Sequence, residues 1–220
     1  MKNLNQLIIK FDFEQNFKDD DFYVSKSNEH IFKLLSSWPM WEKNFLNICG
    51  ERFSGKTHLV NIFIKKFKGF KLNSDQITND DLKKIRLHEN IILEDLDENV
   101  DEKIIYTLLN IIDQYNKFII VTSEKPVVDI NFSLKDLKSR TNNFLLQSIE
   151  KPDDDLMFAL ILKNLSDRQI SIDKKLIDYI IKRIDRSYGK IVDFIYKIDE
   201  VSLKKKRSID FKIIKEVLGE

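Results

Sequence analysis

The chain has 220 residues, with 37 Lys and Arg against 36 Asp and Glu and a net charge of +1. That length allows a full core in one large domain or two small ones, while the charge balance excludes a bulk pull toward nucleic acid or an acidic membrane. The one cysteine, Cys49, excludes a disulfide framework and reads as a small core residue; no apolar run reaches membrane-helix length and the start lacks a signal-peptide core, so the expected place is the cytoplasm.

Residues 5–13, NQLIIKFDF, precede an acidic, polar stretch. Ile9, Phe11 and Phe13 alternate, which suits an edge strand. The same residues suit a tethered peptide whose Gln and apolar side chains dock in a partner's groove. Residues 22–28 read as extended chain, and Ser27 or Asn28 is expected to cap a helix over residues 29–37. Trp38-Pro39-Met40-Trp41 ends that helix, with the two tryptophans read as packing residues.

Residues 45–49 predict a buried strand and residues 57–67 a helix. Between them Gly50 to Thr57, G-E-R-F-S-G-K-T, fits the phosphate-loop pattern G-x-x-x-x-G-K-[S/T]. Bare N–H groups between such glycines wrap a β-phosphate, and the positive end of the next helix adds attraction. Lys56 is expected on the β- and γ-phosphates and Thr57 on Mg²⁺. A second strand is expected at residues 69–73, a short helix at 80–87 and a third strand at 90–93. That strand ends in Glu94-Asp95, carboxylates placed to hold Mg²⁺ and orient a water.

Residues 101–115 carry Ile104, Ile105, Leu108, Leu109 and Ile112 at helical spacing. Residues 117–122 predict the fourth strand, with Ser123, Glu124 and Lys125 at its tip as a γ-phosphate sensor or an ordinary turn. A helix over residues 134–140 ends in Arg140, either dipole compensation or a finger reaching a neighbour's nucleotide. Residues 144–149 supply a fifth strand. After Pro152 only helical patterns remain, four of them, with Asp153, Asp173 and Asp210 as caps and residues 204–207 as a basic hinge between the last two.

The joint pattern resembles the AAA+ ATPases, and within them the DnaA-related proteins. It is most like the regulatory inactivators of the initiator DnaA in their short alphaproteobacterial form. The matching stretches are Gln6-Leu7, Phe22-Tyr23-Val24 with Ser27-Asn28, Trp38-Pro39 with Trp41, and the phosphate loop with His58-Leu59. They continue through Leu93-Glu94-Asp95, Val121-Thr122-Ser123 with Pro126, and Asp136 to Arg140. The last are Pro152-Asp153-Asp154, Asp167-Arg168-Gln169, and Arg183 to Ser187.

The resemblance implies an α/β P-loop core with a five-stranded parallel sheet (residues 17–150) and a C-terminal helical lid (151–220), with ADP or ATP and Mg²⁺ between them. It implies Phe22 and Val24 in the adenine pocket, and Gly50, Ser54, Gly55, Lys56, Thr57 and His58 around the phosphates. Glu94 and Asp95 take the acidic strand-end place, with Thr57 and Glu94 on the metal, and Arg140 the place of the arginine finger. Residues 1–16 become a peptide for the DNA polymerase III sliding clamp, through Gln6, Leu7, Ile9 and Phe11. The implied partners are that clamp and DnaA, with a homo-oligomer allowed, no sequence-specific DNA binding and no membrane.

Two departures bear on activity. Where the family often has a sensor arginine in the third lid helix, this chain has Gly189 followed by Lys190, and a flexible ammonium does not copy a bidentate guanidinium. Glu124 stands where a shorter Asp is usual. The expected function is negative regulation of replication initiation, with hydrolysis by the chain itself weak or absent. A stand-alone AAA+ ATPase that loads or remodels is the alternative. A chain ending at Glu220, straight after the lid, is expected to lack the helix-turn-helix of a complete initiator.

Overall fold

Five short runs dominated by apolar residues become the strands of one parallel sheet: β1 (Phe45–Cys49), β2 (Phe70–Asn73), β3 (Asn90–Glu94), β4 (Phe118–Ser123) and β5 (Leu145–Ser148). Their spatial order is β2-β3-β4-β1-β5. The computed structural model describes residues 22–220, so the expected clamp peptide with Gln6, Leu7, Ile9 and Phe11 lies outside the described residues.

Helices cover both faces, which is why β1, β3 and β4 read as almost unbroken apolar runs. On one face lie α1 (Glu29–Ser36) and α2 (Lys56–Phe67), packed on Leu46, Ile48, Ile92 and Ile120. On the other lie α3 (Asn79–Ile85), α4 (Glu102–Gln114) and α5 (Lys135–Thr141), packed on Ile91, Leu93, Ile119 and Val121. The alternation Ile91/Ile92/Leu93 is the two-residue strand period dividing side chains between the two faces.

Trp38 and Trp41 do pack: both stand against Phe63 and Phe118, at ring separations of 5.7 to 6.3 Å. This aromatic cluster braces the back of α2. Asn28 occupies the cap position of α1 without a side-chain capping bond. Its amide instead donates to the Tyr23 carbonyl and accepts from Ser25 N–H, holding the preceding turn. The third helix begins earlier than expected because Thr78 and Asp81 form a reciprocal capping box.

After β5 the chain is helical: α6 (Asp154–Asp167), α7 (Lys174–Ile181), α8 (Tyr188–Lys205) and α9 (Phe211–Leu218). Asp153, Asp173 and Asp210 cap α6, α7 and α9 through their side chains. Lys204 and Lys205 belong to the last turn of α8, and the chain turns at Lys206 in a left-handed conformation. The four helices share a core of their own, including Met157, Ile161, Ile177, Ile180, Ile195 and Ile198. Leu156 and Tyr188 instead join the core of α1 and α2, which seats the lid on the sheet domain.

Candidate functional site

A cleft of about 1400 Å³ opens beyond the carboxyl ends of β1, β3 and β4, between the sheet and the lid. Ligands of open α/β sheets bind outside these strand ends. The phosphate loop forms its floor. Gly50 N–H donates to the Ser123 carbonyl, fixing the loop to β4. A Cβ at Gly50 would stand 3.0 Å from Ser54 Oγ and 3.1 Å from Ile149 Cβ, so a larger residue there would push both side chains aside. Phe53 and Gly55 have φ of 67° and 92°, which turns the chain sharply into α2; glycine meets the second demand without strain.

Lys56 is buried and donates to the carbonyls of Gly50 (2.7 Å) and Glu51 (3.0 Å). Burial holds its pKa below the ordinary lysine value, against the opposite pull of Asp95, Glu124 and Glu51. Ser54 Oγ is buried with no protein partner. Helix α2 begins without a side-chain cap and without an acidic residue in its first turn. An orphaned hydroxyl, an uncapped helix start and a buried ammonium together fit a polyphosphate.

Phe22, Ser54, Gly55, Lys56, Thr57, His58, Asp95 and Glu124 all line the cleft. Phe22 meets His58 edge-on at 5.2 Å, giving an aromatic wall. Asp95 has φ of 55°, donates its N–H to Thr122 Oγ1 (3.0 Å) and accepts at its carbonyl from Ser74 Oγ. These bonds turn its carboxylate into the cleft.

Val24, Gly50, Glu94, Arg140 and Lys190 are not among the lining residues. Gly50 opens the loop at the end of β1, with its N–H turned to the Ser123 carbonyl. Glu94 shares the strand face of Ile92 and pairs with Lys71 of β2 at 2.5 Å, leaving its Oε1 buried without a hydrogen bond. Asp95, one residue on, is the acid that the strand end delivers to the cleft. Lys190 is exposed and contributes its N–H to Ser187 Oγ. Arg140 lies against α4, 3.4 Å from Asp113 and over the Tyr106 ring.

Several contributors from the lid and the loop carry no site signal in the sequence. Tyr188 of α8 lines the cleft, and its hydroxyl donates to the Glu150 carbonyl. Burial pushes this phenol up to about 12. The lid residues Leu160 and Ile191 complete the wall, beside Lys125 at the tip of β4, which the sequence did single out. Glu51 reaches across to the start of α8. No spacing signal links the lid residues to Glu51 or to the rest of the loop.

Among the described residues no group of three or more His, Cys, Asp or Glu is arranged to hold a metal. A Mg²⁺ ion in this cleft would rely on Thr57, Asp95 and the oxygens of a bound phosphate, as Mg²⁺ sites with few protein ligands do.

Residues 153–218 match the family model of the lid domain of Hda. The fold is similar to that of domain III of the Thermotoga maritima replication initiation protein DnaA, with a TM-score of 0.73, 15% identity, and coverage of 94% of this chain and 97% of that one. It is also similar to AMPPCP-bound DnaA from Aquifex aeolicus (TM-score 0.61, 18% identity, 85% and 68% coverage). The T. maritima RuvB Holliday junction branch migration motor shares the fold too (TM-score 0.64, 14% identity, 91% and 70% coverage). Comparison with curated proteins found no match. Among the described residues no helix is long and apolar enough to cross a membrane.

Proposed function

We propose that this DnaA- and Hda-related AAA+ protein is a negative regulator of chromosomal replication initiation. In this reading it holds ADP or ATP between sheet and lid and, with the DNA-loaded sliding clamp, stimulates hydrolysis of ATP bound to DnaA. Lys56 and the amides at the start of α2 would hold the phosphates, and Phe22 and His58 would face the base. Thr57 and Asp95 would hold Mg²⁺, which when bound neutralises phosphate charge. The chain's own hydrolysis would be weak, because Glu94 is engaged by Lys71.

The observation that carries the reading is the position of Arg140. Its guanidinium lies outside the chain's own cleft, on the partly exposed surface beside α4. A guanidinium there does not reach the chain's own nucleotide site and is open to a nucleotide held by another molecule. Arginine fingers supplied in cis or in trans accelerate hydrolysis by ~10³ to 10⁵, so one such residue is a sufficient cause.

The test is the ATP turnover of DnaA with clamp, DNA and this protein. Stimulation lost in Arg140→Ala supports the reading, and stimulation that persists overturns it. Clamp dependence is tested with Gln6→Ala and Leu7→Ala together; retention on loaded clamp should fall. Steady-state hydrolysis by the chain alone at ~1 per second or faster would favour a self-sufficient ATPase instead.

A further inference from the structure

Helix α8 starts in an unusual way. Of its first-turn amides, Lys190 N–H is capped locally by Ser187 Oγ. Tyr188 N–H and Gly189 N–H are capped instead by the carboxylate of Glu51, at 3.1 and 3.0 Å, from 137 and 138 positions earlier. The Ser187 hydroxyl donates to the same carboxylate. A Cβ at Gly189 would stand 3.1 Å from Glu51 Oε1. The poorest helix former after proline therefore occupies one of the two positions whose backbone N–H meets this carboxylate. Glu51 is also held from behind: its carbonyl accepts from Lys56 Nζ. Lys56, Glu51 and the start of α8 thus form one unbroken line of contacts from the phosphate-binding ammonium to the lid.

We infer that Glu51 is a positioning residue that couples the phosphate loop to the lid, so that loop conformation and lid closure change together and nucleotide leaves only when this carboxylate lets go of α8. Charge-assisted bonds from two backbone amides and a hydroxyl are strong for their number, and they sit at the positive end of an 18-residue helix. The second start of a helix facing the cleft, that of α2, keeps its amides for a phosphate, while that of α8 is already filled by a protein anion. The coupling rests on reading the cleft as a nucleotide site only for its kinetic consequence; the contact itself does not.

The experiment compares wild type with Glu51→Gln, Glu51→Ala and Asp173→Ala. The last removes a cap from α7 and touches neither loop nor cleft. Two quantities are read: hydrogen exchange of residues 187–191 without nucleotide, and the release rate of a fluorescent ADP analogue. Glu51→Ala is expected to deprotect that turn selectively and to speed release by about ten-fold or more, the loss expected of several charge-assisted bonds. Glu51→Gln, which keeps one acceptor oxygen, should fall between. Asp173→Ala should leave release within about two-fold of wild type, since it removes a local cap only. Unchanged protection in Glu51→Ala, or equal acceleration by Asp173→Ala, overturns the coupling. If wild type binds no ADP analogue, the nucleotide reading fails, and the exchange measurement alone decides for or against the latch.

Discussion

Lys71 Nζ stands 2.5 Å from Glu94 Oε2, so the first acid of the Glu94-Asp95 pair is held by a neighbouring strand. Glu94 is almost buried, whereas Lys71 keeps part of its side chain in water. Removing one partner of a fully buried pair costs about 3–5 kcal/mol, and the partial exposure here reduces the expectation for Lys71→Met to about 1–3 kcal/mol. Urea unfolding measures this. In the same set, Glu94→Gln should change affinity for ADP with Mg²⁺ less than Asp95→Asn, because only Asp95 lines the cleft; titration calorimetry would show the order.

Glu51 gives the lid contact a pH dependence of definite sign. Partial burial raises its pKa, but the bonds from Ser187, Gly189 and Tyr188, with Lys151 nearby, outweigh this and hold it below the ordinary value of 4.5. A depressed carboxyl contributes stability above its unfolded pKa and loses it as pH falls through the folded one. The difference in melting temperature between wild type and Glu51→Gln should be constant from neutral pH down to about 5 and close below that. A difference that grows in acid would contradict the assignment of these bonds to the charged form.

Asn47 is a buried amide in the middle of β1. Its Nδ2 donates to the Val121 carbonyl and Ser123 Oγ, and its Oδ1 accepts from Val127 N–H. These bonds fix the turn that carries Glu124 and Lys125 to the cleft. Asn47→Ala leaves buried groups unpaired and should cost about 2–4 kcal/mol in chemical denaturation. Asn47→Asp should cost at least as much, since it loses both donated bonds and buries a charge.

Arg140 should matter little to the chain itself. Its pair with Asp113 is long and Asp113 is largely exposed; such pairs contribute about 0–1 kcal/mol. Arg140→Ala should therefore leave the melting temperature and ADP affinity near wild type while removing stimulation of the initiator. A variant that unfolds, or that loses its own nucleotide, would show a structural role instead.

The elements of the sheet and lid were legible because their signals are local. Apolar runs marked the strands, and Asp153, Asp173 and Asp210 marked helix starts, where each does accept capping bonds. The phosphate loop was legible because its glycines, Lys56 and Thr57 are consecutive in the chain. Glu51 occupied a variable position of that motif, and its partners lie more than 130 residues later. Glu94 and Asp95 were indistinguishable as a pair of acids. Strand alternation, Lys71 on β2 and the left-handed turn at Asp95 separate them. Thr78 was missed because its capping partner Asp81 sat among other acids.

The aromatic cluster behind α2 gives the molecule a built-in optical reporter. Both tryptophans, Trp38 and Trp41, lie in the sheet domain against Phe63 and Phe118, while α6 to α9 contain tyrosine but no tryptophan. Indole emission thus follows the melting of one half, and circular dichroism at helix wavelengths follows both. Heating curves recorded by the two signals would superimpose if the halves come apart in a single cooperative event, and would separate if the lid detaches first.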